Sequence, residues 1–402
     1  MRKLLFVLLT VVMFLPVSNP VRAQFSASDT LKAVTPGLVY KEFSRIISGS
    51  DIWRVTDPDA PFVGDPDNSP STFLPNPVLN LTVSDLQGAI KAVAVIDVWG
   101  GHVGTVGKQF RLNGNNWIDI PSISNTPTNP ECYTHQYSIE VEVPLADLAQ
   151  GTNSLEGTSG GQTCYNFGWG QWGWYGFILR VYYDPGQKTA PTGAITSPAA
   201  GATIGENSVF VADAASGVGI NRVEFVGYYY DFDVDGNGVF TDWQQSYHRL
   251  RGESSMKLRN HIGTATVAPF TVNWDNSWIP DQPADGIEVV ARIRDSEGLW
   301  VVTDRVSGLT LSRPGINVEM YRPTDVPEKF WVRAGQTKSS EFVIPAGHDL
   351  ANAESAWLHA ATWNGISGQA EPGEDHWTRV NGWTTPRFGE NHFYSFDLVD
   401  IP

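Results

Sequence analysis

The segment Asp231-Phe-Asp-Val-Asp-Gly-Asn-Gly-Val-Phe-Thr-Asp-Trp-Gln244 is the part of the chain best equipped for chemistry. Counted from Asp233, side-chain oxygens stand at the first, third, fifth and ninth places of a loop, in Asp233, Asp235, Asn237 and Thr241. Gly238 allows a sharp turn at the sixth place, Val239 offers its backbone carbonyl and Phe240 supplies an apolar anchor. A tight loop that turns alternate residues inward presents such oxygens to a hard cation, calcium first. Gln244 stands where a bidentate Glu belongs, so a shifted register through Asp231, Asp233, Asp235 and Asp242 is the other cation reading. A plain Asp/Gly hairpin turn is the reading that needs no metal. With a cation bound, the role is structural rather than catalytic.

A second cluster is aromatic. Phe167-Gly-Trp-Gly-Gln-Trp-Gly-Trp-Tyr-Gly176 sets three Trp and a Tyr among glycines, just after Cys164. Pyranose rings present apolar C–H faces that stack on flat aromatic surfaces, so Trp169, Trp172, Trp174 and Tyr175 are candidates for a carbohydrate platform, with Trp169 and Trp172 as its outward rings. His102, which follows Trp99-Gly-Gly, is a candidate ligand contact from a neighbouring turn. The opposing reading puts these rings in a core, with the glycines marking close sheet packing. Cys132 and Cys164 are the chain's two cysteines, and a disulfide between them would hold the aromatic loop. The chain-entropy account of such a closure gives ~3 kcal/mol.

Evidence for catalysis is thin. Glycoside hydrolysis needs two carboxyl groups roughly 5–10 Å apart. Asp97, Asp119, Glu140 and Glu142 are available but nothing in the sequence pairs them, and Glu140 and Glu142 alternate with apolar residues as a solvated strand face would. Glu371, Glu374, Asp375 and His376 form a further acidic group. No His-Glu-x-x-His or phosphate loop is present.

The elements that must carry these groups read as β-strands. Val78–Val83, Ala92–Val98, Tyr137–Val143 and Phe177–Tyr183 are short β-branched or aromatic runs bounded by turn residues, and Ile139, Val141 and Val143 alternate with polar neighbours. Two linkers, 184–191 and 312–316, divide the chain. An internal repeat relates its ends: Asp85-Leu86, Ala89, Ala92, Trp99 and Gly101 recur as Asp349-Leu350, Ala353, Ala356, Trp363 and Gly365. Arg111-Leu-Asn-Gly114 answers to Arg379-Val-Asn-Gly382, and Ile139–Pro144 to Asp397–Pro402, with both Asn-Gly pairs reading as hairpin turns. The expected organisation is a signal peptide at 1–23, a jelly-roll-like sandwich at 24–186, a second sandwich at 190–312 and a further copy of the first at 314–402. That last copy lacks the final strands of the first, so the expectation is a piece of a longer product. The fold class is all-β, multidomain β-sandwiches.

Three resemblances accompany this reading. The acidic loop resembles the calcium loops of EF-hands and dockerins over about a dozen residues, but its flanks read as strands. Pro191–Thr203, Val209–Ala214, Gly217–Phe225 and Ala291–Gly298 are similar to bacterial immunoglobulin-like domains, which implies a spacer between other modules. The flanking units resemble carbohydrate-binding jelly rolls by patterning.

Composition narrows the function. The chain has 402 residues, 27 Lys plus Arg against 43 Asp plus Glu, and a net charge of -16, which disfavours nucleic acid because phosphate contacts need clustered cations. Arg2 and Lys3, the apolar run 4–15 and Val21-Arg-Ala23 form a secretory signal, and no later run approaches the ~20 apolar residues of a membrane span. The reading is a secreted, periplasmic or extracellular, non-catalytic array that binds a polysaccharide or glycoprotein glycan, with calcium structural in its middle unit. The alternatives are a carbohydrate-active enzyme with a site between sandwiches or beyond this sequence, and a purely structural surface protein.

Overall fold

The computed structural model describes residues 27–47, 52–60, 69–121, 132, 136–164, 168–323, 325, 332, 335–348, 350–363, 377–389 and 394–402. The expected signal peptide and the group Glu371, Glu374, Asp375 and His376 lie outside the described residues. The fold is all-β: one short helix, α1 (Ala27–Leu31), precedes a succession of strands arranged in several sheets.

In the first sandwich the strands are β1 (Val39–Arg45), β2 (Trp53–Thr56), β3 (Leu79–Val83), β4 (Ala89–Trp99), β5 (Gln109–Leu112), β6 (Ile118–Asp119), β7 (Gln136–Val143), β8 (Gly151–Thr158) and β9 (Gln171–Tyr183). One sheet runs β3-β8-β5-β6, and the other runs β1-β9-β4-β7 with β2 also on β9. Alternation closes them on each other. In β8, Asn153, Leu155 and Gly157 are buried while Thr152 is exposed and Ser154, Glu156 and Thr158 are partly exposed. Phe110, Leu112 and Leu155 thus meet Ala94, Ile96, Leu179 and Val181 in one core.

The second unit is a β-sandwich of β10 (Thr192–Ser197), β11 (Thr203–Ile204), β12 (Ser208–Ala215), β13 (Ile220–Tyr230), β14 (Thr241–Gln244), β15 (Ser246–His248), β16 (Lys257–Arg259), β17 (Gly263–Ala265), β18 (Phe270–Trp274), β19 (Ile287–Asp295), β20 (Leu299–Val302) and β21 (Val306–Leu311). Sheet β10-β12-β18 packs on the strands around β19 through Phe210, Phe225, Trp274 and Ile293.

Residues 314–402 contribute β22 (Ala356–Trp363), β23 (Arg379–Val380), β24 (Trp383–Thr384) and β25 (Tyr394–Ile401). The repeat read in the sequence is visible in their register. In β4 and β7, Ala92 pairs with Val143 and Ile96 with Ile139; in β22 and β25, the equivalent Ala356 pairs with Ile401 and Ala360 with Asp397. Both hairpin asparagines, Asn113 and Asn381, have positive φ (53° and 48°) and precede a positive-φ glycine, as a tight hairpin turn requires.

The first two sandwiches are not separate beads. β1 pairs with β9 along its whole length, and on its other edge Val39, Tyr40 and Lys41 pair with Val301, Trp300 and Leu299 of β20. A twelve-stranded sheet therefore runs through both units. Its outer face is covered by α1 and by the 231–262 insertion, through Val34, Tyr40, Tyr182, Val226, Trp243 and Trp300.

Charge is buried in this junction. Arg180 donates to Glu42 (3.0 Å), Glu140 (3.3 Å) and the Leu31 carbonyl (2.7 Å), and Arg292 donates to Glu224 (2.7 Å) and Gln245 (2.7 Å). Glu140 is thus no part of a solvated face, whereas Glu142 is open to solvent. Burial pushes the Glu140 carboxyl up to about 7, against the pull of Arg180 and Lys32. Asp97 is also fully buried, and it accepts from Gln136 (2.5 Å) and the Arg249 amide (2.8 Å) and lies 2.9 Å from His248 Nδ1.

Candidate functional site

The aromatic cluster folds inward. All thirteen residues of β9 are buried, and Trp169 just before it is 3 % exposed. Trp172 and Trp174 enter the core of the first sandwich, where Trp174 stacks on Trp53 with ring centroids 3.7 Å apart. Tyr175 lies on the other face, against Trp99, and the register shift at Asp97/Val98 brings Phe177 back to the core side of Trp174. The expectation of outward Trp169 and Trp172 is therefore corrected: β9 is flanked by β1, β2 and β4 and covered on both faces, so no face of it remains for a ligand. Gly176 shows how tight the second cover is, since a Cβ there would meet Met256 of the insertion at 2.4 Å. His102 packs edge-on to Trp169 (4.2 Å), its Nδ1 3.1 Å from the Trp169 carbonyl, and burial lowers its pKa. The Cys132–Cys164 disulfide is formed, with Cα atoms 5.6 Å apart.

The acidic loop lies between β13 and β14, and its strand flanks are as expected. It seals an edge: the Ser138 amide of β7 donates to the Asp235 carbonyl (2.8 Å), and Gly236 sits against Tyr137. Its carboxylates are already engaged. Asp233 accepts the amides of Asn237 (3.0 Å) and Gly238 (2.8 Å), and Asp235 accepts the Asn237 amide (3.3 Å) and side chain (2.8 Å). Asp242 accepts the Trp243 amide (2.7 Å) and the Asn237 side chain (3.2 Å). The Lys32 ammonium contacts Asp242 and lies 3.4 Å from Asp235.

Other expected ligands are dispersed. Asp231 is buried, with Asn260 acting on its carboxyl, and burial pushes it up to about 7. Thr241 is exposed on β14, and Val239 is an exposed residue whose amide donates to Asn237 Oδ1 (2.6 Å). Burial, with the Asp235 carboxylate beside it, pushes Asp233 up to about 7. Burial works to lower the Lys32 pKa, but Asp235 and Asp242 outweigh it and hold the ammonium charged, above the ordinary lysine range. Among the described residues no group of three His, Cys, Asp or Glu side chains is placed to hold a metal ion. The space where Asp235 and Asp242 converge is taken by the Lys32 ammonium.

An accessible aromatic site lies on the first sandwich instead. The outer side of sheet β3-β8-β5-β6 bears an open groove of ≈ 520 Å³ between Trp117 and the wall Pro58, Leu74 and Pro75, with Glu156 and Thr158 in its lining. Trp117 is 38 % exposed. The β5/β6 hairpin places it one rung beyond the Phe110–Ile118 pair, across from Arg111. The Arg111 guanidinium lies 4.4 Å from the Trp117 ring centroid and donates to Glu156 (2.7 Å), so ring, cation and carboxylate brace one another. The opposite wall is fixed by Asn76, whose side chain accepts the Thr56 amide (2.7 Å) and donates to the Thr56 carbonyl (2.8 Å). No motif in the sequence marks Trp117, which follows the Asn113-Gly114 turn. The available signal was the hairpin register itself, which brings Arg111 and Trp117 face to face.

No known family matches the chain, and no curated protein is similar to it. Among solved structures it is similar to the fibronectin(III)-like modules of CbhA from Clostridium thermocellum, at 16% identity over 30% of this chain and 94% of that one, with a TM-score of 0.18. A likeness this slight carries no conclusion about function. Among the described residues no helix is long and apolar enough to cross a membrane, which says nothing of strands.

Proposed function

We propose that this protein is a secreted, non-catalytic glycan-binding protein and that its first sandwich binds a polysaccharide or glycoprotein glycan in the Trp117 groove. The observation that carries the reading is the braced, accessible Trp117 ring facing an apolar wall across a groove with Glu156 and Thr158 in its lining. A sugar ring has the matching chemistry: C–H faces for Trp117 and the proline wall, hydroxyls for the Glu156 carboxylate and the Thr158 side chain. The acidic lining and the chain's net charge of -16 favour neutral or amino sugars over acidic ones. Secretion is supported by the signal-like start and the disulfide. A purely structural role is the second reading, favoured by the sheet that joins the two sandwiches.

The test is retention of the full chain on a panel of insoluble polysaccharides and immobilised glycoprotein glycans, scored also for released product. Wild type is retained without product, and Trp117→Ala loses affinity by about 5- to 100-fold, the range for a contact aromatic, with unchanged unfolding. Retention of Trp117→Ala equal to wild type, or no retention of either on any matrix, sinks the glycan reading; release of product moves the protein to the enzyme class.

A further inference from the structure

We propose that the acidic loop 231–242 carries its own cation, the Lys32 ammonium, and works as a metal-independent latch that fastens the N-terminal arm over the junction of the two sandwiches. Lys32 follows α1 and is separated from Asp235 and Asp242 by more than 200 residues. Its ammonium nevertheless lies where those two carboxylates converge, and the Asn237 side-chain amide donates to the same two oxygens, 2.8 Å and 3.2 Å away. The backbone locks the placement, because Gln245 Nε2 donates to the Lys32 carbonyl at 2.6 Å.

Three parts of the chain meet at this latch. The loop reaches β7 through the bond from the Ser138 amide to the Asp235 carbonyl. Lys32 fixes the arm whose next residues, Val34 and Tyr40, pack under Trp243, Val290 and Trp300. The arm then continues into β1, the strand that pairs with both sandwiches. A divalent ion between Asp235 and Asp242 would have to displace the ammonium. The ammonium supplies the positive charge with no metal to acquire or lose. Without it, Asp235 and Asp242, with Asp233 beside Asp235, would be left at calcium-loop spacing with no counter-charge, so its removal should open the loop to a divalent cation.

The experiment uses the full chain, stripped with EDTA, as wild type and Lys32→Met. Each is titrated calorimetrically with calcium chloride to 1 mM, and its thermal midpoint is taken in EDTA and in calcium. Wild type should show no saturable heat and midpoints that agree within about 1 °C. Lys32→Met should melt at least about 5 °C lower in EDTA, as expected when a buried ion pair is broken, and should bind one calcium and regain part of the loss. A stoichiometric calcium in wild type, or a wild-type midpoint that falls in EDTA, overturns the proposal. So does a Lys32→Met protein that melts like wild type. If Lys32→Met does not fold, Lys32→Arg decides: retention of the wild-type midpoint and of calcium blindness supports the latch, and calcium uptake refutes it.

Discussion

The sharpest separation of the two aromatic readings comes from Trp174→Ala. Trp174 is fully buried, stacked on Trp53 at 3.7 Å and packed against Trp172 (6.1 Å) and Phe177 (5.3 Å). Truncation withdraws about 200 Å² of mostly apolar surface, about 5 kcal/mol at ~25 cal/mol per Å², and falls in the ~3–5 kcal/mol range of large aromatic deletions in cores. That is a large share of the ~5–15 kcal/mol that holds a typical domain. Urea unfolding followed by far-UV circular dichroism gives the loss directly, with wild type and Trp117→Ala measured beside it. Trp117→Ala, at an exposed ring, should stay within about 0.5 kcal/mol of wild type. The indole N–H groups add a finer comparison. Trp172 Nε1 donates to the Thr158 carbonyl (2.8 Å), whereas Trp174 Nε1 has no acceptor among the described residues. Trp172→Phe should therefore cost about 1 kcal/mol more than Trp174→Phe. A Trp174→Ala protein that loses less than about 1 kcal/mol yet binds glycan more weakly would refute the core assignment and restore the aromatic platform.

Two further outcomes follow from the junction. Arg292→Met leaves Glu224 buried with Arg222, 2.8 Å away, as its remaining salt-bridge partner among the described residues, and should cost about 3 kcal/mol, most of it recovered when Glu224→Leu is added; urea midpoints of both variants within error of wild type would show that the pair is idle. Because β1 pairs with both sandwiches, Trp174→Ala should also speed amide hydrogen exchange in β12 and β18 of the second sandwich, and protection there unchanged at every amide would mean that the units unfold independently.

Much of the fold was legible in residue order. The runs 78–83, 92–98, 137–143 and 177–183 all lie in or overlap strands, since β-branched and aromatic alternation reports a pleated surface whatever packs on it. Asn113-Gly114 and Asn381-Gly382 turn as expected, because only residues tolerant of positive φ fit a tight hairpin. The repeat survives as identical strand register, and the two cysteines pair. The candidate site was less legible. Trp117 belongs to no sequence motif, and the alternation of its strand does not tell that Glu140 is covered.

What the sequence by itself determined, then, was everything that depends on neighbours a few residues away: strand character, turn position, and the loop spacing that brings Asp233, Asp235 and Asn237 together. Tertiary structure alone decided which face of each strand stays wet and that Lys32 lies against the loop. An alternating strand has two faces of defined polarity, but whether the second is covered depends on segments such as 231–262, far along the chain from β9. The loop's spacing likewise specifies a demand for positive charge and leaves the source open. Lys32 meets that demand from the far end of the chain, a contact that no local window of sequence contains.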